Sequence, residues 1–244
     1  AGPAAPGQYA QAAPAGAGDP IGQVETASGA VEATRLDGTK VELANGDSVF
    51  QGDVLETGAD GTVGIVFIDD STFSLGGDGR MTLDEMVYDP GAEEGSASFN
   101  LVQGVFTFVS GEIAKTSPEG MTLNTPTATI GIRGTAGGLN VNEQGQTTAA
   151  LIPEQTAGGG VTTGEMNISS GGQTLTLNQP FQATSITSVG APPSASFTMS
   201  PQQLGQQFGS ALQSLPNAAQ VIPPAVHQAA MEAHQEAVAA EEEA

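Results

Sequence analysis

From Ile21 to about Val189, short runs of Val, Ile, Leu, Thr and Phe are interrupted every few residues by Asp-Gly, Asn-Gly or Gly-Gly pairs. This punctuation constrains the fold more than any other feature, because it is the grammar of strands joined by tight turns. Val63, Ile65 and Phe67 alternate with Gly64 and Val66 at the two-residue period of a strand. Val105, Phe106, Phe108 and Val109 form a denser run, which predicts burial on both faces. Asp37-Gly38, Asn45-Gly46, Asp60-Gly61 and Asp78-Gly79 supply the positive-φ positions that hairpin turns demand. The spacing predicts roughly fourteen to eighteen short strands, an all-β fold in which sandwiches, barrels and solenoids compete.

An internal echo favours the solenoid. Gly111-Glu112-Ile113 leads to Thr122-Leu123-Asn124-Thr125-Pro126, and Gly164-Glu165-Met166 leads to Thr176-Leu177-Asn178-Gln179-Pro180, with one residue of slippage. Two matched phrases suggest one coil geometry used twice; the competing reading is chance similarity in a biased composition. In a β-solenoid a rung cannot bury its own apolar side, so stacking supplies the core and open ends must be capped or paired. The expectation is therefore a β-solenoid-like stack of short strands with one or two short C-terminal helices.

Three segments follow. Residues 1–20 are a Pro/Ala/Gly-rich arm or linker without periodicity. Residues 21–190 are the β domain, and residues 191–244 are a linker plus an amphipathic helical tail. Ser200-Pro201 is a helix start, and Leu204, Phe208, Ala211, Leu212 and Leu215 then make one apolar stripe. Pro223-Pro224 opens a second helix running into Glu241-Glu242-Glu243. Such helices are too short to be stable alone and need a surface on which to lie. The opening at Ala1 fits a mature product whose export signal has been removed, and it fits a trimmed chain too.

Charge and residue counts exclude several functions. Five Lys plus Arg stand against 27 Asp plus Glu, a net charge of -22. Nucleic acid is excluded as a partner because the chain can release almost no counter-ions from phosphates, and anionic membrane surfaces are disfavoured likewise. No apolar run approaches the roughly 20 residues that span a bilayer, so no membrane insertion is expected. With no cysteine there are no disulfides, thiolate metal sites or cysteine nucleophiles.

Enzyme chemistry finds no support either. His227 and His234 lie seven residues apart on the tail helix, about 10 Å along its axis, too far to grip one ion as an i, i+4 pair would. No nucleophile elbow, phosphate loop or dinucleotide fingerprint occurs, and Gly131-Ile132-Arg133-Gly134 lacks the Lys-Ser/Thr pair of a P-loop. The chain is expected not to be an enzyme and to need no cofactor. The one cofactor candidate is Ca²⁺ at Asp69, Asp70 and Asp78, which offer oxygen ligands beside glycine turns. They match neither an EF-hand loop nor a Gly-Gly-x-Gly-x-Asp array, so solvated turn carboxylates are the favoured reading. Arg133, the last basic residue, sits in an uncharged stretch. Its guanidinium is expected to tie turn carbonyls or a carboxylate together across adjacent strands, partly buried, so that its loss would cost about 2 to 4 kcal/mol.

The ordered phrases Ile21-Gly22-Gln23-Val24, Gly46-Asp47, Gly52-Asp53-Val54-Leu55-Glu56-Thr57-Gly58, Gly61-Thr62-Val63, Phe67-Ile68-Asp69-Asp70-Ser71, Thr125-Pro126 and Ile132-Arg133-Gly134-Thr135 resemble the FecR domain family over roughly Ile21 to Val189. The resemblance implies an exported all-β envelope domain of solenoid-like strands. Pro126, Arg133, Gly134 and Thr135 are expected in structural roles. Family members include sensor regulators that pass an outer-membrane signal to a sigma factor, and also surface or secreted proteins. Ala1 to Pro20 provides neither the anti-sigma segment nor the membrane-spanning helix of a regulator, and Asp70 stands where the pattern has glycine. The expected function is a non-catalytic, self-assembling subunit of an extracellular or cell-surface fibre or matrix, partnered by itself and by other envelope proteins. The alternative is a periplasmic sensing or ligand-binding module acting through protein partners.

Overall fold

The computed structural model describes residues 18–242 apart from 93, 118 and 157. In chain order the first strands are β1 (Gly22–Ser28), β2 (Val31–Thr34), β3 (Lys40–Glu42), β4 (Ser48–Val49), β5 (Val54–Thr57), β6 (Thr62–Phe67), β7 (Thr72–Leu75), β8 (Arg80–Asp89) and β9 (Glu94–Val109). A short helix, α1 (Glu112–Thr116), leads to β10 (Met121–Asn124), β11 (Thr129–Arg133), β12 (Ala136–Val141), β13 (Thr147–Ile152), β14 (Glu154–Gln155), β15 (Val161–Thr162), β16 (Glu165–Ser170), β17 (Gln173–Leu177), β18 (Gln182–Ile186) and β19 (Phe197–Thr198). Helices α2 (Pro201–Ser214), α3 (Ala218–Val221) and α4 (Pro224–Glu242) complete the described chain.

Seventeen strands make one sheet, with β14 and β15 as a separate ribbon. That sheet is folded into two layers that share β9. The outer layer runs β3-β2-β5-β8-β9-β10-β11-β16-β17. The middle layer runs β4-β1-β6-β7-β9-β12-β13-β18-β19. Both layers climb in the same direction along the chain, as a stack of short strands should. Their neighbours are antiparallel except for β9 and β10, so they are not the parallel rungs of a regular solenoid.

Two cores result. Between the sheet layers, Phe67 of the middle layer stacks on Phe99 of the outer layer at 4.9 Å, while Phe73 meets Phe99 edge-on at 5.2 Å and stacks on Phe108 at 5.5 Å. Each buried Phe stabilises the fold by about 1.5 to 3 kcal/mol in transfer terms. The second core lies between the middle layer and the helices, where Ala136, Ala150, Ile152 and Ala183 meet Leu204, Phe208, Leu212, Leu215 and Val226. The predicted stripe of α2 is fully used, and the predicted start holds as a capping box. Gln203 N donates to Ser200 Oγ at 3.2 Å, and Ser200 N donates to Gln203 Oε1 at 2.7 Å.

One expectation needs correction. The echo does not mark a repeated geometry: Glu112 and Ile113 lie in helix α1, whereas Glu165 and Met166 lie in strand β16. In the segment from 191, β19 pairs with β18 and α2 lies on the sheet, the surface that helices of this length need. Residues 1–17, most of the expected arm, lie outside the described residues.

A buried charge pair pins the start of the outer layer. Asp53 Oδ2 accepts from Phe50 N at 2.8 Å and from Arg35 Nη1, and Arg35 Nη2 donates to Ser48 O at 3.2 Å. The guanidinium also lies 4.8 Å over the Phe50 ring. Side-chain exposure is 10% for Arg35 and 1% for Asp53, so each charge depends on the other. Asp53→Ala should therefore cost about 3 to 5 kcal/mol by orphaning Arg35, and adding Arg35→Met should recover much of it. Urea melts of the single and double variants check this; equal losses in both would remove the pair from its keystone role.

Burial raises the Asp53 carboxyl above the usual carboxylate range, against the opposing pull of Phe50 N–H and Arg35. Burial likewise raises Glu154, opposed by the Ala136 N–H and Lys115. A carboxyl raised in the folded state binds its proton more readily there than in the unfolded chain. Its contribution is full below the ordinary range near pH 4 and is lost as pH rises through the folded value. The melting temperature should fall as pH rises from about 4 towards neutrality, and Glu154→Gln should flatten that slope. A melting temperature that climbs over this interval would contradict the assignment.

Candidate functional site

The residues singled out in the sequence fall into three places. Asp69 is buried in the turn between β6 and β7, where Oδ1 accepts from Ser71 N at 3.0 Å and Ser71 Oγ at 2.5 Å. Its other oxygen accepts from Ile113 N at 3.3 Å, and its carbonyl accepts from Glu112 N at 2.9 Å. Asp69 thus anchors the first turn of α1. Asp70 adopts φ 62°, as expected of a residue standing where glycine would be easier. Asp78 lies at the opposite end of β7 with φ 51°. The three aspartates do not converge. Among the described residues no group of three or more His, Asp or Glu side chains is placed to hold a metal ion.

Arg133 ends β11 directly opposite Glu165 of β16, with Nη1 3.7 Å from Glu165 Oε1. It reaches a carboxylate across adjacent strands, as expected, but its side chain is 50% exposed. The partly buried fork is corrected to a surface pair. The buried polar member of the phrase is Thr135, whose N donates to Ser110 Oγ at 2.8 Å and whose hydroxyl donates to Ala136 O at 3.2 Å. Gly134 supplies the turn at φ 52°. Pro126 is exposed in the turn from β10 to β11, which Thr125 N closes onto Ala128 O.

The helices cover the middle layer, but the outer layer turns one face to solvent. Across β9, β10, β11, β16 and β17 that face presents two lateral rows. One row holds Ser98, Thr122, Gly131, Asn167 and Thr176, and the other holds Asn100, Asn124, Thr129, Ser169 and Thr174. Nine of these ten positions carry a hydroxyl or amide, and none carries a charge. They bond to one another: Thr129 Oγ1 donates to Asn124 Oδ1 at 3.1 Å, Thr176 Oγ1 to Asn167 Oδ1 at 2.6 Å, and the Ser169 and Thr174 hydroxyls are hydrogen-bonded at 2.9 Å. The face ends at β17, whose outer side has no strand partner among the described residues. Sequence reasoning missed these rows, although outward positions in Met121–Asn124, Glu165–Ser170 and Gln173–Leu177 are nearly all uncharged, a signal a two-residue period makes visible.

A separate cleft of about 620 Å³ opens where α2 and α4 meet the turn between β5 and β6. Asn45, Asp60, Thr62, Ser210, Gln213 and His234 line it. Its walls carry one carboxylate and one imidazole. His227, seven residues earlier, is half-buried on α4. No helix among the described residues is long and apolar enough to cross a membrane.

The fold defines a mostly β domain of two sheet layers backed by C-terminal helices. Residues 53–154, from the buried Asp53 to the start of the ribbon, match the family described as FecR protein. This span is narrower than the resemblance expected from the sequence. No curated protein matches the chain. A solved cell surface anchoring domain is 33% identical over 26% of this chain and 83% of its own, with a TM-score of 0.25. An anti-sigma factor candidate from Parabacteroides distasonis, solved in two crystal structures, is 9% identical over 59% of each chain, with a TM-score of 0.44.

Arg133→Ala should cost no more than about 1 kcal/mol, with Arg133→Lys nearly equivalent, because an exposed pair is worth little. Thr135→Val should cost more, about 1 to 2 kcal/mol, because it removes a buried hydroxyl's hydrogen bonds. Denaturant melts rank the three variants, and an Arg133→Ala loss exceeding that of Thr135→Val would restore Arg133 to a structural role.

Proposed function

We propose that this chain is a non-catalytic subunit of an extracellular or cell-surface fibre or matrix, built by end-to-end contact between copies. The observation that carries this reading is the difference between the two ends of the folded sheet. At one end the outer layer closes on β3, three residues bearing Lys40 and Glu42, and charges of this kind discourage edge pairing. At the other end the outer layer closes on β17, five uncharged residues, and the middle layer closes on β19 with its exposed Phe197. An uncharged open edge of that length is a template for strand addition.

Unlike ends make a head-to-tail contact that does not close on itself, the geometry of an open filament. Residues 18–20 lead into β1 beside the short edge strand β4. The preceding segment, outside the described residues, is the part of the chain we propose reaches the next copy. The match of residues 53–154 to FecR protein supports an envelope setting for such an assembly.

Copies carrying -22 repel one another, so salt should strengthen association. Sedimentation and electron microscopy across a salt series should show polymer growing with ionic strength. Leu175→Lys, which puts an inward-pointing charge on the β17 edge, should leave folded monomer by circular dichroism. A wild-type chain that stays monomeric at every salt concentration would overturn the fibre and favour the periplasmic sensing module.

A further inference from the structure

We propose that the uncharged face of the outer layer binds a neutral, hydroxyl-rich polymer, an uncharged polysaccharide. The two rows cross five strands, about 19 Å at ordinary strand spacing, and lie about 7 Å apart along the strands. That is a long, shallow platform suited to an extended chain. Every Thr, Ser and Asn on it can both donate and accept a hydrogen bond, and sugar hydroxyls do the same.

Three considerations select this occupant. Anionic polymers are repelled by a chain at -22, whereas an uncharged one meets its match in charge where the acidic residues have been left off. A protein partner would want aromatic or aliphatic anchors at the centre of the contact, and the rows offer none. The side chains are already held by one another, as Thr129 is by Asn124 and Thr176 by Asn167, so little further ordering is needed on binding. The boundary is set by charge, with the Arg133–Glu165 pair closing one side. The inference holds for a single chain in any assembly state.

The test is co-sedimentation with microcrystalline cellulose, chitin and cross-linked dextran, with alginate beads as the anionic comparison. Retention on at least one neutral polymer, unchanged between low and high salt and absent on alginate, is expected. Thr122→Asp, on the second strand of one row, should weaken it at least tenfold, while Gln206→Asp on the exposed side of α2 should leave it unchanged. Asn124→Asp keeps the side-chain shape and should also weaken retention, which separates a lost contact from lost folding. No retention on any neutral polymer, equal retention on alginate, or full retention by folded Thr122→Asp and Asn124→Asp would each overturn the proposal.

Discussion

The bend of β9 is the constraint on which the rest of the molecule depends. Its 16 residues pair with β8 and β10 in the outer layer and then with β7 and β12 in the middle layer. The change of layer falls at Gly104, where φ is 113° and a β-carbon would sit 2.6 Å from the Cα of Gly79. Only glycine meets both demands. Because one strand serves both layers, its register is common to both. A slip of one residue would turn Phe99 and Leu101 out of the outer layer's buried face and Phe106 and Phe108 out of the middle layer's. The inter-sheet core is therefore specified once, from the centre outwards.

The helical layer is fastened to that centre by hydroxyls as well as by apolar contact. Helix α2 ends at Leu215 without a left-handed cap, so its last carbonyls need partners from elsewhere. The Ser74 hydroxyl of β7 donates to Ala211 O at 2.6 Å, and the Thr26 hydroxyl of β1 donates to Ser214 O at 2.8 Å. Ser74 is joined in turn to Thr107 of β9 at 2.7 Å. The helix end is complete only on the finished sheet. This gives a second reason, beyond its exposed apolar stripe, why α2 has little stability by itself.

The dense run of β9 shows what could be read from the sequence. Burial on both faces was legible there because Phe106 and Phe108 enter the inter-sheet core while Val105 and Val109 face the helices. The start and stripe of α2 were legible because caps and helical periodicity are local. Spacing gave strands but not their sorting into layers, since the layer is chosen by partners far along the chain. The Arg35–Asp53 pair was hidden for the same reason: 18 residues separate two ordinary-looking charges. Arg133 misled because the scarcity of charge around it in sequence resembled an interior. Most of that stretch is buried, but Arg133 itself ends β11 on the outward side, at the margin of a solvent-facing sheet surface built of Thr, Ser and Asn.

That surface changes how the net charge should be understood. The outer layer divides into two territories along one sheet. In its first strands Glu42, Glu32 and Glu56 stand side by side across β3, β2 and β5, a like-charge row relieved by the Lys40–Glu32 and Arg80–Glu56 pairs. Beyond β9 the outward positions of the rows carry no charge until Arg133 and Glu165. Directly opposed like charges cost stability in a sheet, so packing gives no reason to gather three glutamates at one end. Gathering them does make that end repel its own kind, which is how natural edges avoid unwanted pairing. The opposite end is left free of charge and open along β17. A uniform spread of the same carboxylates would have kept the chain soluble equally well, but it would have closed both ends and the face between them to contact.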